Sequence, residues 1–152
     1  SISWKEAQEI YHVRSLVEGE ASFLFAGRAS KADLAGMRAA LKAFERAMAR
    51  DDTSGLVSST GAFYGIMLNG CGNGIITELL AGLNARIGVL RARSMSRPGR
   101  ALHSLAEMTA MLERFESGDA EGARAATHTH VRAAAAAARE SFEQLAQQKQ
   151  SG

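Results

Sequence analysis

The sequence is poor in residues that interrupt helices and in residues that staple small proteins. Its 152 positions hold one proline, Pro98, and no sustained β-branched run, so little opposes long helices and no strand pattern competes. A single cysteine, Cys71, excludes an internal disulfide framework and suits a reducing compartment. No charged residue falls between Thr53 and Thr77. That stretch is nevertheless too rich in Gly, Ser, Thr and Asn, and too broken by "NGCGNG", to cross a membrane. The opening "SISWKEAQEI" lacks the apolar run of a secretory signal. A formal net charge of +2 points to no particular partner. What remains is a single cytoplasmic domain over residues 1–152, large enough to bury a core without cross-links.

Helical periodicity fills most of it. A first helix from about Trp4 to Gly27 carries Ile10, Arg14, Val17, Ala21 and Leu24 on one stripe. Ser30, with Asp33 three positions on, caps a second helix marked by Leu34, Met37, Leu41, Phe44 and Met48. Asp51, Asp52 and Thr53 introduce a third, about 54–69, which "NGCGN" closes. Asn73 caps a fourth, with Ile76, Leu80, Leu83, Ile87 and Leu90 inward. Pro98 suits the first turn of a fifth, whose spacing is Leu102, Leu105, Met108, Leu112 and Phe115. Gly118 and Asp119 separate it from a last helix of about 120–148, which contains six consecutive alanines. The expectation is an all-α antiparallel bundle of six helices, or seven.

Several polar residues fall on apolar stripes. Arg14 is expensive there unless paired. It has either Glu18, four residues on, as a salt-bridge partner or an anionic ligand to grip in bidentate fashion. His130 shares a stripe with Ala123, Ala126, Ala134 and Ala137, where a hydrogen-bonded core histidine is commoner than a metal ligand. Within "TGAFYG", Thr60 and Tyr64 lie on one inward face, and Gly61 and Gly65 each cost a helix about 1 kcal/mol. Asn84 adjoins the Leu80/Leu83/Ile87 stripe. "EIYH" is half of a di-iron signature with no second copy, and neither a nucleophile elbow nor a phosphate loop is present. Five arginines between Glu78 and Glu107 (86, 91, 93, 97 and 100) read as a solvated face, with no helix-turn-helix among them.

Three stretches, taken in order, resemble one family. "EIYHVRSLVEGEAS" is similar to the opening helix of the FCD domain, the effector-binding and dimerisation half of GntR-type bacterial regulators of the FadR subfamily. "AFYGIMLNGCGNGIITELL" resembles that family's Phe-His-x-x-Leu helix and Gly-Asn turn. "SLAEMTAMLERFESGDAEGARAATHTHV" resembles its Glu-His-x-x-Ile helix, Gly-Asp turn and final inward histidine. The resemblance implies an FCD-like bundle that is not an enzyme, a homodimer, and DNA contact through an N-terminal winged helix absent from this chain. It also implies a divalent metal (zinc, nickel or manganese) at the positions of Thr60, Tyr64, Met108 and His130. Only His130 keeps the family's donor, so the expectation is no cofactor and a lost metal site. Thr60, Tyr64, Asn84, Met108 and His130 would instead line a pocket for a small carboxylate held by Arg14. The alternative is a ligand-free helical interaction module whose pocket Tyr64 and Met108 fill. An enzyme using Tyr64 and His130 as acid and base ranks last.

Overall fold

Side-chain caps begin most helices where the sequence places them. The computed structural model describes residues 1–152 and contains seven α-helices: α1 (Trp4–Ala26), α2 (Lys31–Ala49), α3 (Thr53–Gly70), α4 (Gly74–Ala81), α5 (Asn84–Met95), α6 (Arg100–Ser117) and α7 (Ala120–Ser151). Ser30 and Asp33 form a reciprocal capping box at α2. Asp52 caps α3, Asn73 accepts from the amides of Ile75 and Ile76 at α4, and Asp119 caps α7. Gly118 closes α6 in the left-handed region at φ 69°.

Two expected features differ. The single fourth helix is interrupted at Gly82 and Leu83, where Leu83 donates to Leu80 three residues back, and so becomes α4 and α5. Pro98 does not open α6. It precedes Gly99, whose φ of 78° reverses the chain so that helix geometry starts at Arg100. That shift leaves Leu102 mostly exposed and turns Arg100, Ser104, Met108, Met111 and Phe115 inward.

α7 is the longest helix and packs against α1, α5 and α6, while α2 packs on α3 and α6. The core joins these layers through Phe25, Phe44, Phe63, Met37, Met67 and Leu90, with Phe25 edge-on to Phe115 at 4.9 Å. On α1 the buried face is Ala7, Ile10, Tyr11, Arg14, Glu18, Ala21, Ser22 and Phe25, one step around from Val17 and Leu24. Gly19 belongs to this close approach, since a Cβ there would run into the His128 ring of α7.

The two glycines of "TGAFYG" behave differently from Gly19. A Cβ on Gly65 would meet nothing within 4 Å, and one on Gly61 would sit 3.7 Å from Arg91 Nη1, an ordinary contact. Gly65→Ala is therefore expected to raise stability by about 1 kcal/mol, measured by urea denaturation. A loss instead would mean that another surface lies against this turn of α3.

Candidate functional site

The site begins with the polar residues on the buried face of α1. Arg14 is fully buried and forks onto Glu18, Nε to Oε2 at 2.9 Å and Nη2 to Oε1 at 3.1 Å. Burial opposes the guanidinium charge, but the Glu18 charge and its hydrogen bonds outweigh that, so Arg14 stays firmly protonated. Of the two readings of Arg14, the salt bridge is the one formed here. It is a buried pair, unlike the exposed i,i+4 pairs of helix surfaces. Tyr11, one turn earlier, lies under the Arg14 guanidinium, and burial pushes its phenol pKa up.

α3, α6 and α7 contribute a hydrogen-bonded chain. Tyr64 Oη lies 2.5 Å from His130 Nδ1, and Ser104 Oγ lies 3.1 Å from His130 Nε2. Burial raises the Tyr64 pKa well above the ordinary phenol range, so the phenol keeps its proton. Burial, reinforced by Arg100, Arg14 and Arg91, holds the His130 pKa well below the ordinary imidazole range. We assign the phenol as donor to Nδ1 of a neutral imidazole, which leaves the ring proton on Nε2 to be donated to Ser104. Glu107 Oε1 stands 3.7 Å from that same Nε2.

α5 and α6 turn two arginines toward this chain. Arg100 forks onto Glu107, seven residues on, at 2.9 and 2.7 Å. Arg91 is different. Its Cζ sits 5.1 Å over the Tyr64 ring, no carboxylate pairs with it, and its buried Nε has no hydrogen-bond partner. Burial and the nearby Arg14 charge lower its pKa to about 10, so it is still charged at neutral pH. Arg14, Arg91 and Arg100 meet around a cavity of about 10 Å³ lined also by Tyr11, Thr60, Ser94, Met95, His130 and Ala134.

Polar atoms inside proteins are nearly always partnered. Five buried side-chain atoms here are not: Tyr11 Oη, Arg91 Nε, Ser94 Oγ, Arg100 Nε and Thr127 Oγ1. The first four belong to residues that line this one cavity. Tyr11, Ser94 and Arg100 are each more than nine-tenths buried.

Of the residues singled out in the sequence, Arg14, Thr60 and His130 line the cavity, and Tyr64 backs it through His130. Met108 is fully buried but does not line it. Asn84 is a correction. The break after Ala81 puts it at the exposed first turn of α5, outside the chamber. Arg91, Ser94, Arg100, Ser104 and Tyr11 were missed. Arg91 and Ser94 stand four and seven residues beyond Ile87, on its own stripe, and Arg100, Ser104 and Met108 repeat every fourth residue. Reading the arginine run as one solvated face hid both. It fits only Arg86, Arg93 and Arg97, which contact Glu6, Phe142 and Glu140 at the surface.

The residues at the four metal positions do not suit a metal. Thr60 Oγ1 donates to the Leu56 carbonyl at 2.8 Å, and both ring nitrogens of His130 are committed to Tyr64 and Ser104. Met108 offers only a thioether, and three arginines line the cavity beside Thr60 and His130. No group of three or more His, Cys, Asp or Glu side chains could hold an ion elsewhere.

The family model described as the FCD domain matches residues 9–133. Among solved structures, the chain is similar to Streptococcus agalactiae GntR, with a TM-score of 0.72 and 18% identity. That likeness covers 84% of this chain and 56% of the other, so the chain spans little more than half the length of that protein. No curated protein matches the sequence. No helix is long and apolar enough to cross a membrane.

Proposed function

The chain belongs to the FCD-domain family, and on that footing we propose that it is the effector-sensing and dimerisation domain of a GntR-type transcription regulator of the FadR subfamily. One observation carries the reading: four residues that each hold an unpartnered buried polar atom, two of them arginines, line one internal chamber. Such a set is costly in an empty core and useful around an anion. The effector is an organic carboxylate, and it is held without a metal. The chamber is too small for it in the present arrangement, so binding shifts the bundle toward a more open one by its differential affinity. A symmetric homodimer in the cytoplasm would transmit that shift to an N-terminal winged helix and its DNA, and no catalytic step is involved.

The second reading, a ligand-free helical interaction module, draws on the closed Tyr64–His130–Ser104 chain and the small cavity volume. A thermal-shift screen separates the two. Organic acids raising Tm equally with and without EDTA support the sensor. Stabilisation by zinc or nickel alone contradicts the metal-free chamber, and silence across the panel favours the module. Sedimentation of the same sample tests the dimer.

A further inference from the structure

The charges around the chamber do not cancel, and the remainder states what kind of acid fits. Arg14 is matched by Glu18 and Arg100 by Glu107, each through a two-bonded fork. Arg91 is the third guanidinium, and it has no carboxylate. The His130 imidazole, donating and accepting through its two nitrogens, adds no charge. One positive charge is therefore left without a carboxylate, on a partly buried side chain whose Nε is buried and unpartnered.

The unpartnered atoms are matched in number to a single ligand group. Arg91 Nε, Arg100 Nε, Ser94 Oγ and Tyr11 Oη can each donate one hydrogen bond. An ionised carboxylate has two oxygens and about four acceptor positions. Of the rest of the lining, Arg14 is already forked onto Glu18, the His130 ring nitrogens are engaged by Tyr64 and Ser104, the Thr60 hydroxyl donates within its own helix, and Met95 and Ala134 are apolar. A second or third carboxylate on the ligand would face these residues with no free cation left to meet it.

We infer that the chamber seats the single carboxylate of a short-chain monoanionic acid, bound by Arg91, Arg100, Ser94 and Tyr11, and rejects di- and tricarboxylates of similar size by charge. The inference rests on the sensor reading and names its ligand class. It also separates the arginines by task. Arg14 and Arg100 keep buried acids neutralised, and Arg91 supplies the charge that a ligand answers. Arg91 is also the least buried of the three arginines.

The test is calorimetric titration of the 152-residue chain, in EDTA at fixed ionic strength, with butanoate, succinate, tricarballylate and the neutral butyramide. Butanoate is expected to bind at least tenfold tighter than succinate, and butyramide not at all. Arg91→Gln should weaken butanoate tenfold or more, and Arg91→Lys, which keeps the charge, should restore part of that loss. Glu107→Gln leaves a second surplus charge and should move the preference toward succinate, a change that a merely structural role would not produce. Succinate or tricarballylate binding more tightly than butanoate in an Arg91-dependent way would overturn the single-charge inference and leave the sensor reading standing. Butanoate binding unchanged in Arg91→Gln would overturn the seat. Silence from every acid would overturn the sensor reading, and this inference with it.

Discussion

Arg14→Ala is expected to lower folding stability by about 3–5 kcal/mol, the range for breaking a buried ion pair from one side. Glu18 is 1% exposed, and both its oxygens are bonded to Arg14. Removing the guanidinium strands a buried carboxylate that no other cation bonds, beside Arg14's neighbours Tyr11 and Tyr64. A domain of this size has about 5–15 kcal/mol in total, so the variant would keep a fraction of its stability. Urea denaturation measures the loss. The double variant Arg14→Met, Glu18→Leu should recover most of it, because the stranded charge leaves with its partner. A loss below about 1 kcal/mol in Arg14→Ala would mean that Glu18 finds water or takes a proton, and that the pair is less enclosed than its geometry states. The same reasoning bears on ligand binding. Arg14 substitutions perturb the fold before they perturb an effector, so effector dependence is better read at Arg91, on which no carboxylate relies.

Where chain-local chemistry sets the structure, the sequence was legible. Ser30 with Asp33, Asn73 with its two amides, and Gly118 with Asp119 each fix a helix end through neighbours within three residues, and their side chains announce it. The seven-helix count and the break at Gly82 were less visible, because the apolar stripe from Ile76 to Leu90 runs through the interruption without changing period. The chamber was harder still. Tyr64 and His130 are 66 positions apart and meet only because α3 and α7 converge on one interior. Nothing local ties them, and family resemblance was the one route to that pair. Arg91 and Arg100 carried a local signal that charge concealed, since a guanidinium on an apolar stripe looks solvated until its surroundings are known. Arg100 has its neutralising partner seven residues on, at Glu107, which a search limited to i,i+3 and i,i+4 pairs passes over.

The His130 imidazole makes stability depend on pH in a direction the geometry fixes. In the folded chain its pKa lies well below the unfolded value of about 6.5, through burial first and then through Arg100, Arg14 and Arg91. Below pH 6.5 the unfolded chain therefore binds a proton that the folded chain refuses. Acid favours unfolding, by up to about 1.4 kcal/mol for each pH unit until the folded pKa is reached. Above pH 6.5 both states are neutral at this position and the dependence on His130 vanishes. Denaturation between pH 7.5 and pH 5 should show that decline in the wild-type chain and a shallower one in His130→Gln. Tyr64→Phe gives an independent reading. It removes the phenol O–H from Nδ1 and leaves that nitrogen buried without a donor, at a cost of about 1–3 kcal/mol at neutral pH. With Nδ1 free to take a proton toward any water that enters, the acid decline should also flatten. Identical slopes in all three proteins would mean that His130 is charged in the folded state. The phenol oxygen would then be accepting a hydrogen bond from the ring N–H, and the chamber would hold two surplus positive charges where one is assigned.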